Sequence, residues 1–233
     1  AMQIALGPNE RDVTFHFSPA PFGAPSMERE ICTSWTYRRR AYEQPLPDAD
    51  RVYRVIGKPD VNSYRLGGAT ISTRLRRLVK LKTSKALEDF GSILDWGCGA
   101  GRIIRYFDDL KFTELHGVDI DAENLNWCAE NLTYATFTQG PLRPPLPHAD
   151  GQFELIYGYS VFTHLDEETQ KAWLRELHRV AAPGAYLFLT VQGLASNAFR
   201  RMPPRFIDKI EREGFLVTGP NPQLNGHVAE PDY

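Results

Sequence analysis

The sequence predicts an α/β fold: a mostly parallel sheet of at least five strands with helices on both faces, preceded by a helical cap. Three observations carry this expectation. No proline falls between residues 61 and 140, although seven of the 17 lie before residue 60 and ten after residue 140, so the middle of the chain is open to regular structure. From Ser92 onward, short apolar runs alternate with segments of helical periodicity. The first of these runs ends in a glycine cluster that opens the following segment.

The elements are expected in this order. Pro19, Pro21 and Pro25 suggest an irregular arm. Met27–Glu43 reads as a helix, with Glu28 and Glu30 in its first turn and Arg38, Arg39 and Arg40 further on, the polarity a helix dipole favours. Gly67-Gly68 reads as a break, after which Ile71, Leu75, Leu78 and Val79 form one face of a helix. A short helix is expected within residues 83–90. Ser92–Trp96 is the first strand, and Ile103, Phe107 and Leu110 mark a helix after it. Glu114–Asp119 is the second strand. Leu125, Cys128, Ala129 and Leu132 mark the next helix, with Asp121 as its N-cap. Tyr134–Thr138 and Phe153–Tyr159 are the third and fourth strands. A helix from about Glu167 carries Trp173, Leu177 and Val180 inward. Pro183-Gly184 makes a turn, and Ala185–Val191 is a fifth strand, apolar on consecutive positions as a doubly covered strand should be. Helices at Ser196–Arg201 and Arg205–Glu213 and a Pro/Asn/Gly-rich tail follow, with Phe215–Thr218 the only further strand candidate.

Composition sets outer limits. The 233 residues are 42% hydrophobic and 24% charged, the mixture of a globular domain, and no run approaches a membrane span. The Ala1-Met2 start leads into no basic-then-apolar leader. The net charge of −2 argues against a nucleic-acid partner. It splits unevenly: residues 1–90 carry 15 basic and 10 acidic side chains, residues 91–233 carry 12 and 19. Arg65–Lys85 holds seven basic residues and no acid, which reads either as a solvated helix face or as a positive wall near an anionic group. Cys32, Cys98 and Cys128 form no CxxC pair, so neither a disulfide framework nor a metal site is expected, and a reducing cytoplasm is the default setting.

The most informative stretch is Asp95-Trp96-Gly97-Cys98-Gly99-Ala100-Gly101-Arg102. Its D-x-G-x-G-x-G spacing differs from the dinucleotide G-x-G-x-x-G, whose third glycine would fall at Arg102. A carboxylate at Asp95 also suits a cationic ligand better than a pyrophosphate. Asp119, 18 residues after Gly101 at the end of the second strand, is placed to accept hydrogen bonds from ribose hydroxyls.

These motifs, with Leu146-Pro147-His148-Ala149-Asp150-Gly151-Gln152-Phe153-Glu154-Leu155 and Leu177-His178-Arg179-Val180 before Pro183-Gly184, resemble the class I S-adenosylmethionine-dependent methyltransferases over about residues 90–192. The resemblance implies a Rossmann-like sheet of order 3-2-1-4-5. It implies S-adenosylmethionine as cofactor, with S-adenosylhomocysteine as product. The implied cofactor contacts are Asp95, Gly97, Cys98, Gly99, Gly101, Asp119, Ile120, Leu142 and Tyr157. Asp95 would hold the methionine end, Ile120 would pack on the adenine, and the Tyr157 carbonyl would meet its amino group. The run Gln139-Gly140-Pro141-Leu142 departs from the family's Gly-Asp-Ala, which removes one acidic adenine contact.

Methyl transfer demands alignment and exclusion of water, and an oxygen nucleophile gains from a general base. His164 is the base candidate, with a packing or capping histidine as the alternative. Asp166 reads as the cap of the following helix. Tyr159 is either a catalyst or a wall. Tyr64, Arg65 and Tyr159 are the candidate substrate residues, and Arg65 or Arg74 could meet the methionine carboxylate. The run Tyr157-Gly158-Tyr159-Ser160 is not the Asn/Asp-Pro-Pro-Tyr of base methylases, and Thr190-Val191-Gln192-Gly193 lacks the carboxylates of a magnesium site, so no metal is expected. Residues 1–90 are expected to form an arm and cap, 91–195 the cofactor-binding core, and 196–233 a helical extension with a tail that ends before the family's final strands. The expected function is transfer of a methyl group to oxygen of a small molecule, natural product or glycan; the alternative is a non-catalytic cofactor-binding module. The open sheet edge implies either a homo-oligomer or a further C-terminal segment.

Overall fold

The computed structural model of the protein describes residues 44–191, together with 207, 208 and 212. The expected Met27–Glu43 helix, the Ser196–Arg201 helix and the Phe215–Thr218 strand lie outside these residues. Of the Arg205–Glu213 helix, 207, 208 and 212 are described, and they are helical.

Among the described residues, two helices precede the sheet. Helix α1 (Ala49–Ile56) starts where the Asp48 side chain accepts the Arg51 amide and ends at Gly57, φ 70°. Helix α2 (Val61–Thr83) starts on Asp60, whose carboxylate accepts the Ser63 amide, and ends at Ser84 in the left-handed region. The expected break at Gly67-Gly68 does not occur: α2 runs straight through both glycines. The reason is a close approach. A Cβ on Gly68 would collide with the Arg102 carbonyl and lie 2.9 Å from Tyr106, so the missing side chain lets α2 sit directly on the segment after the glycine loop. A single 3-10 turn, Leu87–Asp89, takes the place of the short helix expected in 83–90.

Among the described residues the sheet has five parallel strands in the order β3-β2-β1-β4-β5. They are β1 (Ser92–Trp96), β2 (Glu114–Asp119), β3 (Thr136–Gln139), β4 (Phe153–Gly158) and β5 (Ala181–Leu189). Strands β1 and β2 match their expected bounds; β3 begins two residues later than expected. Helix α3 (Ala122–Asn131) follows β2, with Asp121 accepting from the Glu123 and Asn124 amides; Leu125, Cys128 and Leu132 face inward, but Ala129 is exposed. Helix α4 (Glu167–Val180) follows β4, capped by Asp166 through the Thr169 amide at 2.7 Å.

Alternation along the strands builds two cores. Ile93, Leu155 and Tyr157 face Leu75, Val79, Phe107, Cys128 and Leu132. Leu94, Trp96 and Ile156 face Phe162, Trp173, Leu177 and Val180 from the α4 side. The helix expected from Ile103, Phe107 and Leu110 is a 3-10 turn, Ile104–Phe107. Residues 103–107 are all buried, so the segment has no polar face along which an amphipathic helix could lie.

The Pro183-Gly184 turn is displaced too. It sits inside β5 as a bulge: Phe153 pairs with Ala181 and Leu155 with Tyr186, so β5 spends five residues where β4 spends two. Gly184 takes φ 79° there. Residues 185–189 are half-buried and Thr190 and Val191 exposed, so among the described residues β5 is an edge strand rather than the doubly covered strand expected.

Candidate cofactor-binding site

The strand order reverses direction between β1 and β4, and the crevice outside the carboxyl ends at such a point is where open α/β sheets bind ligands. A cavity of about 410 Å³ lies there, within the range of small-molecule sites. Asp95, Gly97, Cys98, Gly99, Asp119, Ile120, Leu142, Tyr159 and His164 all line it.

The floor is the loop after β1. Gly97, Gly99 and Gly101 have φ of 75°, 53° and 72°, conformations that side chains disfavour. The Gly97 and Cys98 amides both donate to the Val118 carbonyl, at 2.8 and 3.0 Å, so the loop hangs from the end of β2. Asp119 adds a second tie. Its Oδ2 accepts the Gly99 amide at 2.7 Å and its Oδ1 the Asp121 amide at 3.0 Å. Asp119 therefore shapes the loop as well as lining the cavity. Burial raises its pKa against the opposing effect of those amides.

Asp95 is 2% exposed. Its Oδ2 makes no hydrogen bond, and burial pushes its pKa up to about 7, with the nearby Asp119 charge adding to the effect. A second buried acceptor on the cavity wall, Asn124 Oδ1, is also unsatisfied; its amide nitrogen donates to Asp121 Oδ2 at 2.8 Å. The Tyr157 hydroxyl opposes the upward shift of Asp95, so the carboxyl is set between a core phenol and the glycine loop.

The opposite wall follows β4. Ser160 takes φ 63°, a sparsely populated conformation of the kind that concentrates at functional sites, and its amide donates to Thr190 Oγ1 at 2.6 Å. The turn projects Tyr159, Ser160, Val161 and His164 toward the cavity. His164 lies on the 3-10 turn Phe162–His164 and is half-buried, which lowers its pKa and leaves the imidazole neutral at neutral pH.

The other nominated residues lie elsewhere. Tyr157 is buried in the core, its ring edge-on to Phe107 at 5.9 Å, and is not in the cavity wall. Gly101 packs toward Leu132 and Cys128. Tyr64 is fully buried and donates to the Ala100 carbonyl at 2.6 Å, which ties α2 to the glycine loop rather than contacting a substrate. The Arg65 side chain bonds Asn62 while its carbonyl accepts from Tyr106 at 2.7 Å. Neither Arg65 nor Arg74 lines the cavity.

Sequence reasoning missed Arg54, Val55, Ile56, Arg102, Asn124 and Trp173, which do line it. Arg54 reaches from α1 to Asp121 at 3.3 Å and Glu123 at 2.7 Å. Trp173 Nε1 donates to the Leu142 carbonyl at 3.3 Å and so fixes the loop after β3. Only Arg102 carried a visible signal: it stands where the dinucleotide pattern requires glycine.

Comparison with known proteins agrees with this geometry. A family model described as "Methyltransferase domain" matches residues 93–184. The protein named "Probable tocopherol O-methyltransferase, chloroplastic" of Oryza sativa subsp. japonica is 32% identical over 105 residues, 42% of this chain and 28% of that one. A malonyl-[acyl-carrier protein] O-methyltransferase of Enterobacter lignolyticus is 30% identical over 120 residues, 52% of this chain and 46% of that one. The chain thus spans less than half the length of these curated relatives. Among solved structures, a TehB-like SAM-dependent methyltransferase from Corynebacterium glutamicum superposes with a TM-score of 0.41 at 21% identity, covering 63% of this chain and 82% of that one. With the glycine loop, the two carboxylates and the 3-2-1-4-5 sheet on a single cavity, residues 93–184 form a methyltransferase domain of the class I, S-adenosylmethionine-dependent type.

Proposed function

We propose that the protein transfers a methyl group from S-adenosylmethionine to a hydroxyl oxygen of a small molecule, natural product or glycan. The observation that carries this reading is that His164, half-buried and neutral, lines the same cavity as the glycine loop, Asp95 and Asp119. The cavity's chemistry fits the cofactor: a buried acceptor at Asp95 for a cationic group, and Asp119 beside Ile120 for a ribose and its base. When bound, the cofactor supplies an electrophilic sulfonium methyl group.

This chain's residues would do the rest. The glycine loop permits close approach of the ligand to the backbone. Tyr159 and Val161 close the wall beside the acceptor and limit water. His164, as general base, would take the acceptor's hydroxyl proton as its oxygen bonds to the methyl carbon and the carbon–sulfur bond breaks. In this proposal residues 1–90 form the cap over the core, in keeping with Val55 and Ile56 of α1 on the cavity wall. A reducing, cytoplasmic setting suits the buried free thiols of Cys98 and Cys128.

The test is a methyl-transfer screen across hydroxylated and amine acceptors, read as S-adenosylhomocysteine release. With an active acceptor in hand, His164→Ala should lower kcat by about 10²- to 10⁴-fold and leave cofactor affinity nearly unchanged. The wild-type rate should fall on the acid side, below about pH 6.5, because the His164 pKa is lowered and protonation removes the base. Wild-type turnover by His164→Ala would remove His164 from the mechanism; turnover confined to amines would overturn the oxygen acceptor.

A further inference from the structure

The seven basic residues of Arg65–Lys85 have no acid among them, and none of them lines the cavity. Arg76 is committed to Asp109 at 2.5 Å and to the Tyr106 carbonyl at 3.2 Å. Arg77, Lys80, Lys82 and Lys85 are exposed and form no ion pair among the described residues. Between Lys80 and Lys82 stands Leu81, 70% exposed. The large hydrophobic side chain more exposed than Leu81 among the described residues is Phe112, at 98%, and it follows Lys111.

Topology brings these two side chains to one end of the sheet. Helix α2 leads through Leu87–Asp89 into β1 at Ser92, and Phe112 lies just before β2 begins at Glu114. Ser92 pairs with Glu114 in parallel register, so both segments sit at the amino ends of the strands, opposite the cavity at the carboxyl ends. The Arg76–Asp109 pair joins them on one side. On the other, Thr113 Oγ1 donates to the Phe90 carbonyl at 2.9 Å, and Lys85 lies 5.3 Å from the centre of the Phe90 ring. The same end carries acids. Asp109 is paired, Asp89 accepts the Ala86 amide at 2.7 Å and Glu154 the Gly91 amide at 2.8 Å. Glu88, Asp108 and Glu114 then stand against the five cations Arg77, Lys80, Lys82, Lys85 and Lys111, which leaves the surface positive. Exposed apolar residues scattered singly are ordinary, but these two protrude beside lysines rather than line a groove. A bilayer boundary takes such protruding side chains while the ammonium groups stay at the phosphates; a protein partner would need a shaped interface.

We propose that this end of the molecule is a docking surface for a membrane of anionic lipid, with Phe112 and Leu81 entering the headgroup boundary and the lysines beside them meeting lipid phosphates. The chain lies on such a membrane rather than across it, since no described helix is long and apolar enough to span one. The cavity, at the other end of the sheet, stays on the aqueous side.

Sedimentation of the full chain with vesicles tests this. Binding to phosphatidylcholine vesicles carrying about 30% phosphatidylserine should exceed binding to phosphatidylcholine alone by about tenfold or more, and should fall as salt rises. Lys80→Gln together with Lys82→Gln should weaken it by about 25-fold, about fivefold for each cation lost at an anionic surface. Phe112→Ser should weaken it by about tenfold. Melting temperature and S-adenosylmethionine affinity should stay unchanged in both variants, because none of these residues lines the cavity. Equal sedimentation with the two kinds of vesicle, or sedimentation with neither, would overturn the proposal. Lysine-dependent binding that Phe112→Ser leaves intact would also overturn it, in favour of an acidic protein surface as the partner.

Discussion

Burial holds the Asp95 carboxyl at a pKa of about 7, and this single value acts oppositely on folding and on binding. A carboxyl whose folded pKa lies above its unfolded value of about 3.9 opposes folding increasingly as pH rises between those two values, because the unfolded chain ionises first. Binding of an ammonium group needs the ionised form. Cofactor affinity should therefore rise between about pH 6 and pH 8, with a proton released on binding, measurable as a dependence of calorimetric enthalpy on buffer ionisation. Asp95→Asn should raise the melting temperature at pH 8 while weakening the cofactor and abolishing that proton release. Asp95, Asp119 and the three glycines were legible as residues because the chemistry they need is written in one short stretch. Tyr157 was not, because a strand's alternation says which face a side chain takes but not whether a cavity lies on it: its phenol joins Phe107 in the core. Arg102 was visible only as a departure from another pattern, since its Tyr159 neighbour is 57 positions away.

Helices and strands were legible wherever local signals decide them. The ends of β1 and β2 coincide with apolar runs bounded by glycine and turn residues, and α4 begins where Asp166 can accept the Thr169 amide. Removing that cap by Asp166→Ala should cost about 1 kcal/mol, read by urea unfolding. The departures all involve distant partners. Gly67-Gly68 carries the local signature of a break, yet Gly68 is set by the Arg102 carbonyl it rests on. Gly68→Ala should destabilise the fold by about 1–3 kcal/mol, the usual range for overpacking, in spite of alanine's better helix propensity; a gain in stability in the same unfolding experiment would show that the contact yields easily. The Pro183-Gly184 bulge likewise answers to β4, opposite it. Ile103–Phe107 has helical spacing but is buried on every side, which periodicity alone does not reveal.

At the scale of the molecule, a pair of histidines packed against one face of the sheet makes its stability depend on pH. His116 on β2 and His148 in the loop before β4 stack edge-on at 5.8 Å, with Phe153 beside both. Burial lowers both pKa values. A histidine depressed in the folded state contributes stability in full above its unfolded pKa of about 6.5 and loses it as pH falls through the folded value. Thermal stability should therefore drop as pH falls below about 6.5, and His116→Phe should flatten that drop. The division into a basic N-terminal part and an acidic core, visible in the charge count, has one concrete expression in Arg54. It spans from α1 to Asp121 and Glu123 at the start of α3, beside the acid and the apolar residue that close β2. The flank of the cavity is thus fastened ionically and its floor by backbone hydrogen bonds. Dissolved salt screens the first kind of fastening, most strongly where Glu123 is exposed, and scarcely touches the second. Raising ionic strength should therefore loosen the tie of α1 to the start of α3 while leaving the glycine loop as it was.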